Sequence, residues 1–276
     1  MSSSTEHTSQ QTSADTKKFR MISQVLAYLA LVVGVGIGLL ALSAALGVWF
    51  GLWDFRQGFS FLGTANSYGD LVALGGLLIA LAVFIVGRRY ALPGNARLSV
   101  LALVGTLAAG LAYYVPETYR PAETANIPPI HDITTDTVNP PQFVDILPLR
   151  GPGTNTVVYG TGPGMTPEQQ AQLQQEAYPD IQPQYFDAPP QAVFEQALAA
   201  VEALGWELVA QVPEEGRIEA TDTTFWFRFK DDIVILIDET AEGSVLNARS
   251  VSRVGRSDVG KNAARLRGLF ARLQAQ

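Results

Sequence analysis

From Met21 to Trp53 the chain carries no charged residue. A helix needs about 20 apolar residues to cross a hydrocarbon core, so this run is long enough to span with slack for tilt. A secretory signal has a shorter apolar stretch of about 7–15 residues and would not be followed by two more such runs. Here two more follow, Leu71–Val86 and Leu98–Val115. The sequence therefore predicts three spans, over about 22–53, 70–87 and 98–115, within an anchor covering 21–118. The whole chain is 47% hydrophobic and only 16% charged, below the roughly 25% charged residues of an average soluble domain. Residues 1–20 are rich in Ser, Thr and Gln and read as a disordered cytoplasmic tail.

Lys17, Lys18 and Arg20 precede the first span, and Arg88, Arg89 and Arg97 lie between the second and third. The other loop, Asp54–Asp70, holds only Arg56. Cations are retained on the cytoplasmic side, which puts the N-terminus there. Everything after the third span is then extracytoplasmic, and a bacterial inner membrane with a periplasmic domain is the expected setting. Gly34 and Gly38, Gly76 and Ala80, and Ala102, Thr106 and Gly110 recur at four-residue spacing. Such faces let helices pack in lipid, within one bundle or between copies in a homo-oligomer. The span interiors hold no Asp, Glu, Lys, Arg or His, which disfavours an ion or proton path. Trp49, Trp53, Tyr113 and Tyr114 fall where interfacial anchors belong.

Thirteen of the 16 prolines lie between residues 121 and 190. Proline removes a backbone donor and restricts its predecessor, so residues 119–190 read as an extended linker partly wrapped on the following domain. Within it only Thr166–Ala177 reads as a helix, with Thr166 as N-cap and Pro167 at the first helical position. Gln191–Leu204 follows with an apolar stripe at helical spacing, closed by Gly205. Short β-like runs come next at Trp206–Val212, Arg217–Thr221, Phe225–Lys230, Ile233–Asp238 and Val245–Ser252, with a turn read at 230–232. Ser257–Leu273 closes the pattern as an amphipathic helix. The predicted fold is a three-span α-helical membrane region followed by an α+β two-layer domain, built as helix, antiparallel meander and helix.

The absence of cysteine excludes thiol nucleophiles, disulfides and thiolate metal sites, and His7 and His131 are the only histidines. A net charge of -7 argues against nucleic acid as a partner, and no cofactor is expected. The expected partners are the bilayer itself and a membrane or envelope protein. Charge is unevenly spread: residues 249–276 hold Arg249, Arg253, Arg256, Lys261, Arg265, Arg267 and Arg272 against Asp258 alone. One reading folds this basic end onto acidic surface. The sharper reading is an anion site built from Arg249, Ser252, Arg253, Ser257, Asp258 and Asn262, because Arg249 and Arg253 alternate onto one strand face. His131, Asp132 and Asp136 form the one metal-like set, set against an Asp/Thr turn network. Ser257 also suits the N-cap of the last helix, with Asp258 complementing its dipole.

The strings Pro129-Ile-His-Asp-Ile-Thr-Thr-Asp136, Tyr178-Pro-Asp-Ile181, Gly216-Arg-Ile-Glu-Ala-Thr221, Phe229-Lys-Asp-Asp232 and Ala248 to Ala263 resemble the domain of unknown function DUF1499. The resemblance covers about residues 127–273, in a form carried behind a multi-span anchor. It implies a domain boundary but no activity, substrate or cofactor. The expectation is a non-enzymatic, membrane-anchored envelope protein whose domain binds a protein or an anionic ligand. The alternatives are a metal-assisted hydrolase of envelope material and an accessory subunit of a transport or assembly complex.

Overall fold

The computed structural model describes residues 2–119, 127–162 and 164–275, with side chains from residue 13 onward. The chain divides into two compact units, 1–120 and 121–276.

In the first unit three apolar helices are each long enough to cross a membrane: α1 (Ser2–Trp49), α2 (Phe55–Arg89) and α3 (Asn95–Thr118). α1 reaches back to Ser2, where a disordered tail was expected. No proline or glycine interrupts residues 1–20, so a helix nucleated in the apolar run can propagate through them. Likewise most of the expected 54–70 loop is helical, because Asp54 caps α2 by accepting from the Gln57 amide at 2.9 Å. The small residues are used inside this bundle. A Cβ on Gly34 would collide with the Gly105 backbone, one on Gly105 with the Ala30 carbonyl, and one on Gly76 with Thr106 Oγ1. Helix backbones thus meet directly, which in lipid replaces the hydrophobic drive that water supplies elsewhere.

The second unit is α+β. Its elements in chain order are β1 (Asp132–Thr134), α4 (Pro167–Ala177), β2 (Gln184–Phe186), α5 (Pro190–Ala203), β3 (Glu207–Val212), β4 (Arg217–Thr223), β5 (Lys230–Thr240), β6 (Gly243–Ser252) and α6 (Lys261–Gln274). The sheet order is β1-β6-β5-β4-β3, all pairs antiparallel, and β2 also pairs with β6. α4 begins with Thr166 as the expected N-cap, and Gln169 reaches back to close a capping box with it. The stripes of α5 and α6 (Val193, Phe194, Ala197, Leu266, Leu269, Phe270) bury against Ile218, Ile233, Ile235 and Leu246 on one sheet face. On the other face, Phe143 and Ile146 from the proline-rich segment cover Val234 and Val251. That segment is therefore a third layer of the domain.

Three expectations change in this unit. Phe225–Phe229 is not a strand but the turn joining β4 to β5, and residues 230–232, expected as a turn, begin β5. Phe and Trp favour strands because they pack on a pleated surface, a preference that depends on context and does not by itself make a strand. The last helix also starts later than expected, at Lys261, with Gly260 as N-cap.

Candidate functional site

Strand alternation sends Arg217, Glu219 and Thr221 of β4, Asp232 and Val234 of β5, and Arg249 and Val251 of β6 to the face covered by the proline-rich segment, and Arg253, just past β6, reaches Asp232 there. At the centre, Arg249 is fully buried. Its Nε and Nη2 donate to the Asp132 carboxylate at 2.9 and 2.7 Å. Its remaining bonds go to the carbonyls of Pro141 at 3.1 Å and Val157 at 2.6 Å. The Phe143 and Tyr159 rings lie 5.4 and 5.8 Å from its guanidinium carbon. Burial pushes the Tyr159 hydroxyl far above the ordinary tyrosine range, with the Asp132 charge adding to the effect.

Beside it, Asp232 accepts from Arg253 Nε at 2.9 Å and Nη2 at 2.8 Å, from Thr221 Oγ1 at 2.8 Å, and from Arg150. Arg253 also donates to the Leu149 carbonyl at 2.9 Å. Burial lowers the Arg150 pKa, against the opposing pull of Asp232. Glu219 forms a third node, accepting the Val144 and Ile146 amides at 2.7 and 2.8 Å and Arg217 at 2.5 Å. In all three nodes a buried carboxylate or guanidinium of the sheet holds backbone or side chain of the 141–157 segment. The charges do work that hydrophobic contact cannot, since a proline-rich segment has few regular backbone partners of its own.

The opposite face carries a second network where α6 begins. Asp258 accepts the Gly260 amide at 2.8 Å and the Asn262 amide at 2.7 Å, so its carboxylate, rather than the Ser257 hydroxyl, serves the amides at the start of the helix behind the Gly260 N-cap. Burial raises the Asp258 pKa, and those two amides pull the other way. Asn262 donates to the His131 carbonyl at 2.8 Å and Ser252 Oγ at 3.0 Å. It accepts from Ser250 at 2.7 Å and Arg265 at 2.5 Å. Arg265 pairs with Asp231 at 2.6 Å and Asp222 at 2.8 Å. Ser257 donates to the Pro128 carbonyl at 3.3 Å.

The six residues read from the sequence as an anion site thus fall into two networks on opposite faces of one sheet. Arg249 and Arg253 share the predicted face, yet each is matched to its own carboxylate. The metal reading does not assemble. Asp132 is held by Arg249, Asp136 accepts the Val138 and Asn139 amides at 2.8 and 2.9 Å, and His131 Nδ1 lies 3.5 Å from the Arg256 carbonyl. Among the described residues no group of three or more His, Asp or Glu is placed to hold an ion. The Thr/Asp turn network weighed against it is what stands there, with Thr134 Oγ1 donating to the Asp136 carbonyl.

Compared with known families, residues 132–273 match the one described as a protein of unknown function, DUF1499. The chain belongs to the DUF1499 family. No match is found among curated proteins. Within this DUF1499 domain, sequence reasoning missed Asp232, Glu219, Gln170 and Gln174. Gln174 bonds both the amide and the carbonyl of Thr134, at 3.0 and 2.7 Å, and Gln170 donates to the Asp132 carbonyl at 3.0 Å. Two amides one helical turn apart on α4 thereby close the open edge of β1. The available signal was the Arg217-x-Glu219-x-Thr221 alternation, a polar row on a strand whose other face is apolar.

Grooves mark the surface among the described residues. One of about 300 Å³ is lined by Thr135, Asp136, Thr137, Gln175 and Gln182, and another of about 380 Å³ by Phe194, Glu214, Glu215, Asp238 and Glu239.

Proposed function

We propose that this DUF1499 protein is a membrane-anchored envelope protein whose extracytoplasmic domain acts by binding a partner protein or an anionic ligand, rather than by catalysis. The observation that carries this reading is the commitment of the domain's buried charges. Arg249, Arg253, Arg265, Asp132 and Asp232 are each bonded to other parts of the same domain. Catalytic acids and bases are expected in a cleft with pKa values tuned for proton transfer, and these groups instead brace covering segments. The surface is then the region for recognition. The cation bias of the N-terminus and of the Arg88–Arg97 connection supports an extracytoplasmic domain.

Native mass spectrometry of the full-length chain, released gently from membranes, tests the reading. A discrete anionic or polypeptide adduct is the expected result. Turnover of an envelope component by the purified chain would overturn it.

A further inference from the structure

We propose that one end of the membrane unit, formed by residues 17–20 of α1 and the α2–α3 connection, is a binding site for an anionic phospholipid headgroup of the phosphatidylglycerol type. This goes beyond the binding reading, which concerns the second unit, and does not depend on it.

Three helices of the first unit meet at this end. The Phe19 ring of α1 stacks on Tyr90, with centroids 4.4 Å apart. The α2–α3 connection is short, residues 90–94, and the Tyr90 and Leu92 amides close it by donating to the Val86 and Gly87 carbonyls at 3.0 Å. Asn95, the first residue of α3, lies against Gly87, where a Cβ would overlap its side chain. Lys17, Lys18, Arg20, Arg88, Arg89 and Arg97 are all exposed here. Among the described residues none of the six is ion-paired. Asp15 is the one carboxylate described beside them, because residues 16–53 and 71–116 contain no Asp or Glu.

Orientation in the membrane accounts for the sign of these charges but not for their placement. Arg88 and Arg89 complement the negative end of α2. Arg97 instead stands in the first turn of α3, where the helix dipole is positive and no acidic residue offsets it. Gly94 caps that helix at a φ of 75° and brings no side chain to its first amides. Backbone bonding begins with the Leu98 amide on the Gly94 carbonyl at 3.2 Å. A phosphate diester answers both needs, accepting from a helix start and from guanidinium groups.

The same end also lacks a donor. Asn95 is 9% exposed and Ser99, one turn on, is 8% exposed. Asn95 Nδ2 donates to the Phe84 carbonyl at 3.3 Å, but Asn95 Oδ1 and Ser99 Oγ have no partner. Unpaired polar atoms are costly in a bundle that lipid surrounds, and Asn95 Oδ1 is relieved only by a donor. Phosphate oxygens are acceptors, whereas glycerol hydroxyls donate. Phosphatidylglycerol carries both groups, and clustered Lys and Arg at the end of a helix bundle favour anionic lipids.

The full-length chain in detergent is mixed with phosphatidylglycerol or phosphatidylcholine of equal chain length, and retained lipids are counted by native mass spectrometry. The wild type should hold one phosphatidylglycerol several-fold more often than phosphatidylcholine. Arg97→Gln should weaken that preference, and the Arg88→Gln/Arg89→Gln/Arg97→Gln variant should abolish it. Arg56→Gln removes one cation at the other end of the unit and should leave it unchanged. A ligand held by the second unit survives the triple variant, which tells it apart from this lipid. Equal retention of the two lipids by the wild type would overturn the proposal, as would an unchanged preference in the triple variant. Displacement of the lipid by an equal concentration of inorganic phosphate would overturn it in favour of a free anion. Circular dichroism confirms that the variants fold.

Discussion

The two halves of this chain solve the packing problem by opposite means. The membrane unit brings helix backbones together at Gly34, Gly76 and Gly105 and carries no Asp, Glu, Lys, Arg or His in its apolar runs 21–53, 71–86 and 98–115. The second unit buries Arg249, Asp132, Asp232 and Glu219, each bonded to its own partners, and uses them as fasteners. In lipid a buried charge costs too much and a small residue gains close contact. In a water-exposed domain with a proline-rich covering segment, a paired charge can satisfy carbonyls and amides that no strand or helix reaches. The difference shows that buried polarity follows from what each segment's backbone lacks, and is not by itself a mark of a ligand site.

The comparison is broken most forcefully by removing one fastener. Arg249→Met leaves Asp132 buried without its partner and should cost about 3–5 kcal/mol, read by chemical denaturation of the full chain in detergent. In the membrane half the counterpart is Gly105→Leu. It should cost about 1–3 kcal/mol in bundle stability through overpacking, followed by resistance to a denaturing detergent, with the second unit's unfolding unaffected. If Gly105→Leu destabilised both units alike, the division would be wrong.

Asp258 sharpens the comparison through pH. Its folded pKa is raised by burial, so the folded state holds the proton more tightly than the unfolded chain. Its contribution is fully present below the ordinary aspartate pKa and is lost as pH rises through the raised folded value. Asp258→Asn keeps an acceptor for the α6 amides and should flatten this part of the stability profile. The smallest effect is expected at Arg267–Asp180, a half-exposed pair at 2.5 Å. There Arg267 lowers the Asp180 pKa by hydrogen bonding, so its stability is present above the ordinary aspartate pKa and is lost as pH falls. Arg267→Ala should cost about 1 kcal/mol or less, and salt should erase the difference.

What the sequence made legible follows the range of the interactions. Apolar run length gave the spans, and helical spacing with local caps gave α4 and α5, since those signals lie within a few residues. The strand alternation of Arg249 and Arg253 was also visible. Their partners were not, because Arg249 meets Asp132 across 117 residues and Arg150 meets Asp232 across 82. Without those partners Asp231 and Asp232 read as turn residues, and the aromatic run at 225–229 read as strand.

The most direct test of the account is a double-mutant cycle on Arg249 and Asp132, measured as unfolding free energy of the full chain. Arg249→Met and Asp132→Leu should each destabilise by about 3–5 kcal/mol, while the double variant, left with no unpaired buried charge, should recover much of that loss. Single variants that leave stability unchanged would contradict it, because Arg249 and Asp132 would then be available for something other than holding the fold.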